Sequence, residues 1–265
     1  MINIDRAGGG GHFSQFSGTF TNWGTISIGI SGIDNELVGL RSNGTFINEA
    51  GAEIYIEVSD EAGLVNSAGN FTNRGYIGAS SANSNTLQLS GGTFTNWATI
   101  DLQDGTVGIR NTSTFVNETG GVLTIDAAFD YGIEIRRNFI KKATLIILDA
   151  SAVGIYNLTA AGNFTNEATL NIFNTGEDAI LNVALFNNEV GGTITIDGAF
   201  EDGIENTSSG NLAGQFNNKG ILTIEEILGD QGILNRPNAV FTNEGSLSVG
   251  ANTTVGDNSI NNAGT

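Results

Sequence analysis

The sequence predicts an all-β chain folded as a right-handed parallel β-helix, a β-solenoid of about ten coils of roughly 24 residues with three short strands per coil. Three observations carry that expectation. A Phe-x-Asn motif recurs down the chain, first as Phe20-Thr21-Asn22-Trp23-Gly24-Thr25-Ile26-Ser27-Ile28. Apolar residues alternate with outward ones after most copies. A Gly-Ile/Leu-x-Asn segment closes many of the units.

The motif Phe falls at Phe20, Phe46, Phe71, Phe94, Phe115, Phe139, Phe164, Phe186, Phe216 and Phe241. The gaps run from 21 residues (Phe94 to Phe115) to 30 (Phe186 to Phe216). Two residues on, nine of the ten copies have Asn, and Lys141 stands in the other. An inward Phe would stack on the Phe of the next coil, and an inward Asn would hydrogen-bond along the axis to the Asn above and below. The Gly two residues after Asn (Gly24, Gly75, Gly220, Gly245) would supply a special turn conformation.

The second strand shows a period of two at pairs such as Ile26/Ile28, Ile54/Ile56, Ile100/Leu102, Leu145/Ile147, Ile194/Ile196 and Leu247/Val249, weaker at Ile77/Ala79. That period marks a strand with one face buried. The third piece reads Gly32-Ile33-Asp34-Asn35, Gly63-Leu64-Val65-Asn66, Gly108-Ile109-Arg110-Asn111, Gly154-Ile155-Tyr156-Asn157, Gly203-Ile204-Glu205-Asn206 and Gly232-Ile233-Leu234-Asn235. No stretch has a capped helical period. A unit of this length is too short for a propeller blade, the spacing has no sixfold rhythm, and parallel crossovers are right-handed, which leaves the right-handed β-helix. At about 4.8 Å per coil the rod would be roughly 50 Å long.

Charge tests the register. The residue after each motif position runs Trp23, Glu49, Arg74, Trp97, Glu118, Lys142, Glu167, Glu189, Lys219, Glu244. Stacking puts Arg74 beside Glu49, Lys142 between Glu118 and Glu167, and Lys219 between Glu189 and Glu244, and unlike neighbours across a sheet are favourable.

Composition fits the same fold. Among 265 residues are 38 Gly, one proline (Pro237) and no cysteine, so turns are plentiful, strand N–H groups are free to pair, and disulfides and thiolate metal sites are excluded. The net charge of −18 argues against nucleic acid and anionic membranes as partners. No run approaches the 18 or so apolar residues of a membrane span, so direct membrane insertion is not expected. Met1-Ile2-Asn3-Ile4-Asp5 lacks the basic and apolar regions of a secretory signal.

Candidate chemistry is sparse. His12 follows Gly8-Gly9-Gly10-Gly11, but no Lys-Ser/Thr or helix follows as a phosphate loop requires. The repeat breaks at Arg136-Arg137-Asn138-Phe139-Ile140-Lys141-Lys142, where four of the ten basic residues gather. A polysaccharide lyase would use such a base; ion pairing with acids on adjacent coils is the structural alternative. Acids after the second strand (Asp60/Glu61, Asp104, Asp130, Glu177/Asp178, Glu201/Asp202, Asp230, Asp257) would stack into a solvated ridge. Their densest group, Asp197, Glu201, Asp202 and Glu225 with Glu226, offers hard oxygen ligands for Ca²⁺, although no calcium-loop motif accompanies it. No catalytic residue and no other cofactor is expected. Trp23 and Trp97 could stack on sugars, and the longest loops, about Glu36–Asn43 and Thr207–Gln215, are where a grafted site would sit.

The Phe-x-Asn-x-Gly-x-Ile-x-Ile units resemble the tandem repeats of large bacterial surface proteins with β-helical passengers, adhesin- and haemagglutinin-like. The likeness runs from Phe20 to Thr265. It departs from the chlamydial polymorphic membrane proteins, which pair Phe-x-x-Asn with Gly-Gly-Ala-Ile. The resemblance implies export and a secreted or cell-surface setting.

The expectation is a single β-helix domain over 1–265, beginning and ending within a coil. Its function would be that of a non-enzymatic structural or adhesive rod. The alternative is a polysaccharide-binding or polysaccharide-cleaving β-helix, with a surface glycan as partner. Ile260-Asn261-Asn262-Ala263-Gly264-Thr265 reads as the motif cut before its second strand, and Ile2-Asn3-Ile4-Asp5 as that strand. Head-to-tail stacking into a filament would join them.

Overall fold

A computed structural model describes residues 2–5, 13–15, 17–29, 38–58, 62–81, 83–210, 212–250 and 260–264. These residues form three parallel sheets, here A, B and C, visited in that order once per turn. Sheet A begins with Ile2–Asp5 and Thr25–Gly29, sheet B with Phe13–Gln15 and Leu40–Ser42, and sheet C with Thr19–Asn22 and Thr45–Asn48. Eleven, eleven and ten described strands stack in the three sheets in strict sequence order. The ten strands of sheet C bound nine full turns, and no helix occurs among the described residues.

Register follows the repeat. Phe20 pairs with Phe46, and the motif Phe residues stay opposed strand by strand to Phe241. From Phe46 onward their rings stack at 4.5 to 5.5 Å, with interplanar angles of 5 to 20°. Such offset pairs contribute about 0.5–1.5 kcal/mol each beyond the area they bury. Sheet A supplies the alternating pairs and sheet B one or two Ile or Leu per strand, from Leu40 to Ile233, and all three sets meet in one continuous core. Parallel stacking makes every slip costly, because a one-residue shift would turn a whole strand's apolar set outward.

The axial Asn ladder is present, and there are two of them. At the end of sheet C, each Nδ2 donates to the Oδ1 of the next turn: Asn22 to Asn48, Asn48 to Asn73, Asn73 to Asn96 and Asn96 to Asn117, all at 2.8 Å. The second hydrogen goes to a backbone carbonyl beyond the next corner, as from Asn48 to Tyr76. The Asn that closes each of the last five sheet B strands makes the second ladder, from Asn157 through Asn182, Asn206 and Asn235 to Asn262 at 2.8 to 2.9 Å. In earlier turns that position alternates between Asn66, Leu89, Asn111 and Ile135. Ile135 leaves the Oδ1 of the next residue, Asn157, buried without a donor.

Three sequence expectations are corrected. Gly32–Asn35 lies outside the described residues, and the third strand of that turn is Leu40–Ser42, with Ser42 opposite Asn66. Within the expected Glu36–Asn43 loop, Leu40–Ser42 is therefore sheet. The motif glycines Gly24, Gly75, Gly220 and Gly245 are not at positive φ. Gly75, Gly220 and Gly245 are small because the corner presses on the preceding turn: a methyl on Gly75 would collide with the Ala52 carbonyl, and one on Gly245 with that of Gly220. Left-handed glycine appears instead where the corner carries two extra residues. Gly51, Gly120 and Gly191 have φ of 79, 93 and 91°, in turns closed by Ala52, Gly121 and Gly192 N–H groups donating to Glu49, Glu118 and Glu189.

The third correction concerns Ile260–Asn262. It pairs with Ile233–Asn235 in sheet B, whereas Ile2–Asp5 pairs with Thr25–Gly29 in sheet A. The splice read from the two segments therefore lacks a sheet C strand. Both ladder strands end in Asn, so Ile-Asn-Asn could be read as either.

The Thr207–Gln215 insertion carries a small antiparallel pair, Ser208–Ser209 with Leu212–Ala213. His12, Asp60, Glu61 and Asp257 lie outside the described residues.

Candidate functional site

The basic break is mostly absorbed into architecture. Glu134, buried on the outer side of sheet B, bridges Arg110 at 3.3 Å and Arg136 at 2.5 Å. Lys142 pairs with Glu118 at 3.1 Å, Arg74 with Glu49 at 3.2 Å and Lys219 with Glu189 at 3.3 Å. Each corner base thus takes the acid of the preceding turn, as the charge pattern predicts for that side. No pair to Glu167 or Glu244 forms among the described residues, and exposed Arg137 makes no ion pair among them.

Lys141 is the exception. It stands in the ladder, opposite Asn117 and Asn166, with no exposed surface. Its Nζ donates to Asn166 Oδ1 at 2.6 Å, and burial pulls its pKa down to about 7. An ammonium offers no acceptor, so Asn117 Nδ2 loses its ladder bond and keeps only the carbonyls of Thr144 and Gly121, the kind of backbone partners that Asn96 also has.

The acidic ridge resolves into distinct places. Asp104, Ala127, Asp149 and Asn174 take left-handed φ of 52 to 56° at the corner after sheet A, and Gly198 continues that run at 81°. Asp130, Glu177, Glu201 and Asp230 point to solvent. Of the four calcium candidates, only Asp202 joins a group able to hold a metal ion among the described residues, and its neighbours there are Asp178 and Glu205, with carboxylate oxygens within 4.8 Å of one another. Asp197 is half-buried at the end of a sheet A strand, and Glu201 and Glu225 are exposed.

Asp178 and Asp202 sit two residues before the core Ile of their sheet B strands, the position Val107 and Val153 fill in earlier turns. Each carboxylate caps the next turn: Asp178 Oδ1 accepts from Asp202 N–H at 3.1 Å, and Asp202 Oδ1 from Gln231 N–H at 2.8 Å. Burial raises Asp178 to about 8 and Asp202 to about 6; the amide bonds oppose that rise, and Glu205 adds to it. Arg236 grips Glu205 with Nε at 2.6 Å and a terminal nitrogen at 3.3 Å. A cation here would compete with that fork for Glu205.

A further surface feature lies on the outer face of sheet A, where no sequence motif pointed. One outward row runs Ser27, Tyr55, Gly78, Asp101, the next Thr25, Glu53, Tyr76, Thr99. Gly78 has no side chain, and the Tyr76 ring lies across it, so that a Cβ on Gly78 would meet that ring at 2.9 Å. The Tyr76 phenol is pushed up to about 12, by burial first and then by the Asp101 carboxylate to which it donates. Tyr55 leans on Tyr76, ring centroids 5.4 Å apart at 45°, and remains 42% exposed. Ser27, Glu57, Ser80 and Gln103 complete a shallow cleft of about 260 Å³ across four adjacent turns.

Trp23, 75% exposed, and Trp97, 47% exposed, stand at the corner entering the same sheet. The signal for the cleft was available in principle: Gly78 interrupts an outward row between Tyr55 and Asp101. It becomes visible only once the rows are in register.

No family model matches the chain, and comparisons with curated proteins and with solved structures give no match.

Proposed function

We propose that the chain is a stiff, non-enzymatic rod that spaces or presents binding surfaces outside the cell. The observation that supports this reading most is the use of the repeat itself: its Phe, Asn and Gly face the interior or the adjoining turn, where they hold one turn to the next. A repeat kept for chemistry would place its recurrent polar residues outward. Here the recurrent Asn residues are buried in ladders, which rigidify by satisfying corner amides in low dielectric. The adhesin-like resemblance supports the secreted or cell-surface setting.

In the described residues, Ile2–Asp5 and Ser246–Val249 each have a sheet neighbour on one side only. An open edge is a template for another strand. Head-to-tail association of such rods, as the repeat pattern leads us to expect, is part of the proposal. Negative-stain imaging at rising concentration tests it: rods that lengthen in steps support the reading, and compact particles of constant size contradict it. Incubation with neutral and acidic polysaccharides tests the non-enzymatic part, since release of reducing ends would contradict it.

A further inference from the structure

We infer that the cleft formed by Tyr55, Tyr76, Gly78, Asp101 and Gln103 on the outer face of sheet A binds an uncharged polysaccharide strand. Four features point to that chemistry. The Tyr76 ring lies across Gly78, and Tyr55 stands tilted against it. Together they form an apolar floor and wall of the kind on which the C–H face of a sugar ring packs. Asp101, Glu57, Gln103 and Ser80 edge that floor with carboxylate, amide and hydroxyl groups. These groups accept and donate hydrogen bonds as a polyhydroxylated ligand requires.

Shape supports a chain rather than a single small molecule. The lining residues come from four successive strands, a span of about 14 Å along the axis at one strand spacing per turn. The cleft is open and shallow, and it runs in the direction in which the rod repeats. Charge selects the polymer. Asp101 and Glu57 line the cleft, Glu53 adjoins Tyr76, and no Lys or Arg is among the lining residues. Arg74, at the corner leading into the Tyr76 strand, is held by Glu49. A polyuronate would meet repulsion with nothing to offset it.

The site is independent of the rod proposal: the strand would lie on the sheet without any chemistry being done to it. Trp23 and Trp97, at the corner entering the same sheet, offer further ring surface next to the cleft.

Affinity electrophoresis of the full chain tests this, with gels containing a neutral glucan, a neutral galactomannan or polygalacturonate. The expected result is retardation by at least one neutral polymer and none by polygalacturonate. Tyr55→Ala and Tyr76→Ala should each weaken the retardation about tenfold, equivalent to about 1.4 kcal/mol, with melting temperatures little changed because both rings lie outside the core. Gly78→Ala, which displaces the Tyr76 ring without removing it, should weaken binding as well. Absence of retardation in every gel, retardation by polygalacturonate alone, or equal retardation of wild type and all three variants would each overturn the inference.

Discussion

Lys141 Nζ and Asn166 Oδ1 lie 2.6 Å apart inside the solenoid, and that bond resumes the sheet C ladder after the one turn that lacks an Asn. The ladder has a direction, each Nδ2 donating toward the C-terminal end, and a lysine can honour only the outgoing half. The link from Asn117 is lost, and a cation is kept where the group finds no carboxylate.

Lys141→Asn should therefore stabilise the protein. It restores an acceptor for Asn117, keeps a donor for Asn166 and removes a buried ammonium. The gain expected is on the order of 1–3 kcal/mol, read from denaturant midpoints at pH 7. A lower midpoint would show that the lysine stem packs better than the ladder bonds.

Ladder positions should be unequal. Asn166→Ala removes the acceptor of Lys141 and the donor to Asn188 together. Asn117→Ala removes an acceptor for Asn96 and a donor to backbone carbonyls only. Both should lower thermal stability, with Asn166→Ala costing more, about 3–5 kcal/mol, because it strands a buried cation. Equal losses in the two variants would contradict the bridging role of Lys141.

Stability should pass through a minimum near pH 7–8. Asp178 and Asp202 titrate in the folded state near 8 and 6, above their usual 3.8. The folded chain then holds more protons than the unfolded one, and stability falls as pH rises from about 4 to about 8. Lys141 titrates in the folded state near 7, below its usual 10.5. There the unfolded chain holds more protons, and stability rises from about pH 7 to about 10. Melting curves across this range should flatten on the acid side in Asp178→Asn and on the alkaline side in Lys141→Asn.

The left-handed corner offers a stabilising change. Ala127 has φ of 56° in a row otherwise filled by Asp104, Asp149, Asn174 and Gly198. Ala127→Gly removes a strain of about 1 kcal/mol. An unchanged or lower melting temperature would place that strain elsewhere.

The core was legible in the sequence because parallel stacking copies one environment from turn to turn: Phe46 and Phe71 face the same neighbours and so stay the same residue. The corners were less legible. Glu49-Ala50-Gly51 and Arg74-Gly75 look like variants of one turn, yet the first needs a left-handed glycine and the second a close approach. The tyrosine cleft was hidden for another reason. Tyr55, Gly78 and Asp101 are far apart in sequence and differ in type, and they become neighbours only when coils of unequal length are aligned. Asp178 and Asp202 were visible as acids, but the burial that perturbs them comes from a corner position held by Val153 in the turn before.

The central claim is that each repeat advances the chain by one strand spacing along a single axis. Thr72, Thr165 and Thr242 occupy one outward row of sheet C, with Thr165 four turns and Thr242 seven turns from Thr72. The chain has no native cysteine, so pairs introduced at these sites can be spin-labelled without background. Pulsed dipolar spectroscopy should give backbone separations of about 19 Å for Thr72–Thr165 and about 34 Å for Thr72–Thr242, in proportion to turns crossed. A Thr72–Thr242 distance equal to or shorter than Thr72–Thr165 would contradict the solenoid.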